Sequence, residues 1–100
     1  MTGDAELLLG GDKLTLAANI LRAIAHPERI RMLEYLDQQG SAPVNKIYVD
    51  LDIEQSLASQ QLKILRDANL VLTSRQGKYI YYSINYSALK KLTEVAYKLS

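Results

Sequence analysis

The segment LDIEQSLASQQLKILRD, residues 51–67, reads as a turn followed by an amphipathic helix, and it decides the fold. Its apolar side chains recur at spacings of one, four and three residues, which places them on one helix face. They are Leu57, Ala58, Leu62 and Leu65. Asp52 and Gln55 have the spacing of a capping box, although Glu54 is an alternative boundary residue. We predict a helix over residues 54–68, stopped by Asn69 in a left-handed conformation.

Three more helices are predicted upstream. Helical spacing of apolar residues starts at Asp12 and ends at His26-Pro27, where proline begins the next helix. That second helix has an apolar stripe of Ile30, Leu33 and Leu36, and it stops at Gly40. Pro43 opens a short third helix that ends in a tight turn at residues 50–52.

The first residues of the chain are predicted to be less ordered than the rest. Gly10 and Gly11 should interrupt any helix, so residues 1–11 are predicted to form a flexible segment. Residues 12–100 are predicted to form one domain.

Downstream of residue 69 the period of the pattern changes from 3.6 to 2. Residues 70–75 and 79–84 alternate in polarity around Gln76-Gly77-Lys78, which indicates a β-hairpin. Residues 87–100 return to helical spacing. The predicted order α-α-α-α-β-β-α is mainly helical with a small hairpin, which is the arrangement of a winged helix-turn-helix.

The polar face of helix 54–68 and the hairpin tip suit contact with double-stranded DNA. Glutamine can pair with adenine in the major groove, serine can contact bases or phosphates, and basic side chains attract phosphate. The predicted DNA contacts are Gln55, Ser56, Ser59, Gln60, Gln61, Lys63 and Arg66 on the helix, and Arg75, Gln76, Lys78 and Tyr79 on the hairpin. The alternative is a solvated helix face and a hairpin tip that only keeps the protein soluble.

The distribution of charge favours the DNA interpretation. Residues 1–54 carry five Lys or Arg against nine Asp or Glu, whereas residues 55–100 carry seven against two. A phosphate-binding surface is therefore expected in the second half of the chain.

Several functional classes are disfavoured by composition. The chain has no cysteine, which excludes disulfides, thiolate metal sites and thiol oxidation. No secretory segment and no apolar run of about 20 residues is present, so we expect a cytoplasmic protein without a membrane partner. No nucleophile–base constellation or phosphate loop is recognisable, so we do not expect an enzyme or a cofactor.

In order and spacing, four runs of this sequence resemble the ArsR/SmtB family of winged-helix repressors. They are LRAIAHPERIR (21–31), LDIEQSLASQQLKILR (51–66), ANLV (68–71) and YYSI (81–84), and the resemblance spans residues 14–99. It implies a recognition helix at residues 55–67, a wing at residues 75–79 and dimerisation through the first and last helices. The chain departs from the family at three places. The family often has histidine at the position of Gln60 or Gln61, serine at the position of Glu54, and glycine at the position of Asn69.

Homodimerisation is also expected on physical grounds, because a domain this small gains from burying the outer stripes of its terminal helices. The predicted interface consists of Leu14, Leu16, Ile20, Leu89, Leu92, Val95 and Leu99. Twofold pairing would present two recognition helices to a palindromic operator. The alternative is that these residues belong to the core of the monomer.

Metal sensing, which the resemblance suggests, is not supported by the residues. The third-helix site of the family falls on Pro43 and Asn45, and the last helix offers only Glu94. His26, the single histidine, is interpreted as structural. An unidentified small molecule or protein remains the expected effector, if there is one. Seven tyrosines could line a ligand pocket, but half-buried positions at the core edge are the more usual place for them.

We therefore predict a homodimeric, sequence-specific transcriptional repressor. The alternative is a winged-helix protein-interaction module that has lost DNA binding, for which the acidic residues Asp50, Asp52 and Glu54 beside the recognition helix are the best support.

Overall fold

A computed structural model describes residues 11–99, in which there are five helices and a small antiparallel sheet. The helices are α1 (Gly11–Ile24), α2 (Pro27–Gln39), α3 (Val44–Asp50), α4 (Gln55–Asp67) and α5 (Tyr86–Leu99), and the strands are β1 (Ala42–Pro43), β2 (Val71–Gln76) and β3 (Tyr79–Ile84). The predicted fold class and element order are confirmed, with β1 as an addition. The segment predicted to be flexible lies outside the described residues except for Gly11, which begins α1 one residue earlier than predicted.

Local sequence signals set most helix ends. His26 is extended (φ −140°, ψ 132°), and Pro27 is the first residue of α2. Gly40 ends α2 at φ +79°, and its N–H donates to the carbonyl of Leu36 at 2.8 Å. At this φ an L side chain is strained, so glycine is the residue that the helix end requires.

The two ends of α4 behave differently. Asp52 lies in the preceding turn at φ +55°, and Glu54 is the residue before the helix, without a side-chain cap. The predicted capping box is therefore wrong, and the alternative boundary at Glu54 is the observed one. At the other end Asn69 has φ +61°, and the N–H of Leu70 donates to the carbonyl of Leu65 at 2.9 Å. This is a Schellman-type end, as the left-handed stop at Asn69 predicts.

The sheet has the order β1-β3-β2, and both pairings are antiparallel. Gln76 pairs with Tyr79, so Gly77 and Lys78 form a two-residue loop in which Gly77 has φ +65°. A positive φ at the first loop position is typical of a type II′ turn and favours glycine there. Pro43 lies in β1 and precedes α3, so the prediction that it opens α3 is wrong by one residue.

The main core lies between the four helices α1, α2, α3 and α4 and the start of the hairpin. Its largest fully buried side chains are Ile20, Met32, Leu36, Ile47, Leu62, Leu65 and Leu70. A smaller cluster, centred on Ala17 and Val95, joins α1 to α5. In α2 the buried residues are Arg29, Met32, Tyr35 and Leu36. The predicted stripe is therefore partly wrong, since Ile30 is exposed and Leu33 is half-buried.

Candidate nucleic-acid interface

Helix α4 separates a buried apolar face from an exposed polar one. Ala58, Leu62 and Leu65 are buried against the core. Six of the seven predicted contact residues of the helix are exposed, namely Gln55, Ser56, Ser59, Gln60, Lys63 and Arg66. Helix α4 therefore turns its apolar side chains to the core and these polar side chains to the surface.

Gln61 does not belong to that surface. Its side chain is half-buried, and its Oε1 accepts a hydrogen bond from Nη1 of Arg29 at 2.8 Å. The assignment of Gln61 to the DNA contacts is therefore corrected, because one helical step of about 100° separates it from Gln60. Sequence reasoning could not choose between two adjacent glutamines.

A groove of about 480 Å³ runs between α4 and β3. It is lined by Ser59, Lys63, Arg66, Asp67 and Tyr82. Nζ of Lys63 lies 2.9 Å from Oδ2 of Asp67, and both side chains are well exposed. The groove thus brings two basic residues together, but one of them faces a carboxylate. Neither Asp67 nor Tyr82 was among the predicted site residues.

The predicted hairpin residues divide between the two faces of the wing. Side chains alternate along a strand, and Tyr82 on β3 marks the face that lines the groove. Arg75 pairs with Ile80, which is two residues from Tyr82 on the same face. Gln76 and Tyr79, which pair with each other, point to the opposite face. Arg75 alone therefore shares the groove face with the basic residues of α4.

Lys78 occupies the tip of the wing. Its Nζ lies 5.5 Å from the ring centre of Tyr79, and the backbone of the loop is held by a 3.2 Å hydrogen bond from Nε of Arg75 to the carbonyl of Gly77. Such a cation–π contact keeps the ammonium exposed while restricting its position. The tip is thus a positively charged, ordered point at the end of the wing.

Carboxylates flank the start of α4. Asp50, Asp52 and Glu54 are all exposed. The hydroxyl of Tyr35 donates to Oδ2 of Asp50 at 2.5 Å, and burial together with this carboxylate raises the pKa of Tyr35 to about 12. Carboxylates repel phosphate, and the exposed basic side chains of the candidate interface lie elsewhere, in the later part of α4 and in the wing.

The predicted dimer residues are divided between the core and the surface. Ile20 is completely buried within the chain and Val95 is 6% exposed, so both are corrected from interface to core. Leu16 and Leu89 are partly buried against the main core, and Leu14 and Leu92 against the smaller cluster. The side chain of Leu99 lies outside those described. Four predicted interface residues therefore keep surface on the α1–α5 side.

Within the part of the chain that the structure describes, the side chains that could bind a metal ion lie apart from one another. Over residues 11–99, no group of three His, Cys, Asp or Glu side chains converges. His26 is at the start of α2, and Glu94 is the one acidic residue of α5. Oxygen or nitrogen donors that stand singly do not satisfy the coordination of a transition metal.

The hydroxyls of Tyr35 and Tyr86 each donate a hydrogen bond to a carboxylate. Tyr35 contacts Asp50, and the hydroxyl of Tyr86 donates to Oδ1 of Asp37 at 2.5 Å. Tyr35 is buried and Tyr86 is 55% exposed, so neither has the half-buried position expected at the core edge. In the part of the chain that is described, none of the helices has the length and apolar character needed to span a bilayer.

Comparisons with known proteins agree on one family. Residues 26–73 match the family model described as bacterial regulatory protein, arsR family. The chain is 37% identical to the biofilm growth-associated repressor of Agrobacterium fabrum over 97 residues, which cover 97% of this chain and 82% of that protein. The matched segment runs from the start of α2 into β2, and it includes all of α4.

Solved structures give the same result. NolR from Sinorhizobium fredii is similar with a TM-score of 0.69 and 34% identity, covering 85% of each chain. The transcriptional repressor PagR of Bacillus anthracis is similar with a TM-score of 0.71 and 32% identity, covering 83% of this chain and 92% of that one.

Proposed function

The chain belongs to the ArsR family of bacterial regulatory proteins, and from this we propose that it is a homodimeric repressor that reads a palindromic operator. Membership makes it a transcriptional regulator with a DNA-binding fold and not an enzyme. Three points are proposed beyond membership: the protein is a homodimer, its DNA site is palindromic, and particular residues contact the DNA.

The observation that carries the proposal is the exposed polar face of α4 beside the basic groove. Ser59 and Gln60 are exposed in the first half of the helix, where side chains of a recognition helix approach base edges. Lys63 and Arg66 follow on the same helix and line the groove together with Tyr82. In the proposal, the first half of α4 reads bases and the second half contacts phosphates.

The wing completes this surface in the proposal. Arg75 and Lys78 supply phosphate contacts, since both are exposed and basic and lie at the tip of the hairpin. Gln76 and Tyr79 lie on the other face of the wing and would contact DNA only where the duplex passes around the tip. Gln55 and Ser56 stand next to the carboxylate of Glu54, so their contacts are to bases and not to phosphate.

Dimerisation is proposed through the α1–α5 side. Leu14, Leu16, Leu89 and Leu92 are half-buried there, so a symmetry mate would complete their burial. A twofold axis at this side would present two α4 helices, and successive major grooves on one face of DNA are about 34–36 Å apart. A palindromic operator is the DNA counterpart of such symmetry.

Control by metal or by thiol oxidation is not part of the proposal. The chain has no cysteine, and the described histidine and carboxylates do not form a ligand set. An effector, if one acts, is an unidentified small molecule or protein. The protein is proposed to work in the cytoplasm, where its DNA is.

The test is selection of duplexes by the wild-type protein from a randomised library, followed by affinity measurements on the selected and scrambled sequences. We expect a palindromic consensus and at least about a thousandfold preference over scrambled duplex. Gln60→Ala should relax the base preference at one position of each half-site, whereas Lys78→Gln should weaken binding to all sequences alike. Lys90→Gln on the exposed side of α5 is the matched control and should change neither. Equal affinity for selected and scrambled duplex would refute the proposal.

A protein-interaction module is the second candidate, favoured by the exposed carboxylates of Asp50, Asp52 and Glu54. A partner bound there would be basic and would be insensitive to loss of Lys63, Arg66 and Lys78. Binding of a basic partner that survives this triple substitution, in a protein without DNA preference, would favour that candidate.

A further inference from the structure

We propose that Arg29 and Gln61 form a partly buried link that sets the orientation of α4 relative to α1, and that operator binding depends on it. The inference rests on the proposed function, since the link is argued to position the residues that read DNA. Neither residue is assigned a contact with DNA. Both are therefore positioning residues.

Arg29 stands out because it is a charged side chain that is only 5% exposed. Its guanidinium lies between three helices. From α2, Nε donates to the carbonyl of Ala23 and Nη2 to the carbonyl of Arg22 at 3.4 Å, both in the last turn of α1. Nη1 donates to Oε1 of Gln61 in the middle of α4 at 2.8 Å.

The link is electrostatically unusual. Among the side chains that the structure describes, no carboxylate lies within salt-bridge distance of Arg29. The partial negative charge of the α1 carbonyls and the amide oxygen of Gln61 are what stabilise the buried cation. Each buried side-chain nitrogen and oxygen atom of the described residues has a hydrogen-bond partner, those of Arg29 included.

The geometry of the guanidinium makes the link directional. Its donors are held in a rigid planar fork, so the position of the α1 carbonyls fixes where Oε1 of Gln61 must lie. Rotating α4 about its axis would withdraw that oxygen and leave a buried charged donor unsatisfied. Since α4 is one continuous helix, fixing Gln61 also fixes the direction of Ser59 and Gln60.

The link also connects two parts of the proposed function. Helix α1 contributes Leu14 and Leu16 to the proposed dimer surface, and α4 carries the reading residues. Through Arg29, the orientation of α4 in each protomer is fixed relative to α1, the helix that contributes to the proposed dimer surface. The pair therefore governs how two recognition helices match the spacing of one operator.

The neighbouring glutamines provide a matched test. Gln61→Leu removes the acceptor, whereas Gln61→Glu keeps an acceptor that suits a guanidinium. Gln60→Leu and Gln60→Glu are the controls at an exposed site one residue away. The probe is the duplex that the wild-type protein selects from a randomised library, with a scrambled duplex for comparison, and circular dichroism verifies that each variant is folded at the assay temperature.

We expect Gln61→Leu to weaken operator binding about tenfold, the lower end of what one hydrogen bond to a charged group contributes, without changing affinity for the scrambled duplex. Gln61→Glu should stay within about threefold of wild type, because its carboxylate is held by Arg29. Gln60→Glu should lose at least about tenfold, because its carboxylate meets the DNA. The double variant Arg29→Met with Gln61→Leu should bind the operator no more weakly than the weaker of its two single variants, Arg29→Met and Gln61→Leu.

Three results would overturn the inference. Gln61→Glu binding as poorly as Gln60→Glu would mean that Gln61 faces DNA. A lower melting temperature of Gln61→Leu with unchanged operator affinity would mean that the bond only stabilises the fold. Additive losses in the double variant would mean that the two residues act separately. All three comparisons require that the wild-type protein prefers its selected duplex over the scrambled one. If it does not, the proposed function is refuted, and the proposed role of Arg29 and Gln61 is refuted with it.

Discussion

Asp67→Asn should strengthen DNA binding, although it removes an ion pair. Asp67 is exposed in the groove beside α4, and its Oδ2 lies 2.9 Å from Nζ of Lys63. The carboxylate both repels phosphate and neutralises the lysine that would contact it. Asparagine keeps the size of the side chain and removes the charge.

The magnitude follows from counterion release. One additional lysine–phosphate contact makes the slope of log K against log salt steeper by about 0.9. Between 50 and 200 mM salt the affinity of the variant should therefore fall about 3.5-fold more than that of wild type. The loss of stability should stay near 0.3–0.5 kcal/mol at most, about the contribution of an exposed i,i+4 pair.

Fluorescence anisotropy of a labelled duplex over a series of salt concentrations measures both quantities. Lys63→Gln is the control: introduced into Asp67→Asn, it should make the slope shallower again by about 0.9, because it removes the lysine that the loss of the carboxylate frees. An unchanged or weaker affinity of Asp67→Asn with an unchanged slope would refute the assignment of Lys63 to phosphate.

Three further predictions concern the core, the dimer and a buried hydroxyl. Met32 is completely buried, so Met32→Ala should lower the free energy of unfolding by about 2–5 kcal/mol in denaturant titration, and a loss below about 1 kcal/mol would contradict the core assignment. Leu14→Asp should convert a dimer into a monomer in sedimentation equilibrium while the helical circular dichroism persists, because Leu14 is only half-buried within the chain; a variant that sediments like wild type would exclude Leu14 from the interface. Burial and Asp50 raise the pKa of Tyr35 to about 12, so the folded state holds this proton more tightly than the unfolded state, and its contribution is complete below about pH 10 and declines as the pH rises towards 12. The free energy of unfolding of Tyr35→Phe, measured over this pH range, should fall less than that of wild type. An equal fall in the two proteins would contradict the prediction.

The sequence predicts best those features that a few adjacent residues determine. The polar and apolar faces of α4, the end of α2 at Gly40 and the left-handed residue Asn69 each depend on local conformation, and all three are observed. The hairpin is similar, since alternation and a glycine in its loop suffice to indicate it.

What escaped prediction depends on contacts between distant parts of the chain. Arg29 lies on the buried side of α2 together with Met32 and Leu36, but a charged residue conceals that periodicity until its acceptors on α1 and α4 are known. Ile20 and Val95 are apolar in helical register, and the sequence cannot tell a core stripe from an interface stripe. Strand β1 has two residues, too few for any period to be recognised.

That two-residue strand has a consequence for the behaviour of the sheet in concentrated solution. β1 forms one edge of the sheet, with Pro43 opposite Tyr81. A short edge strand that contains a proline offers few backbone donors to the strand of another molecule. The chain therefore protects this side of its sheet against edge-to-edge aggregation.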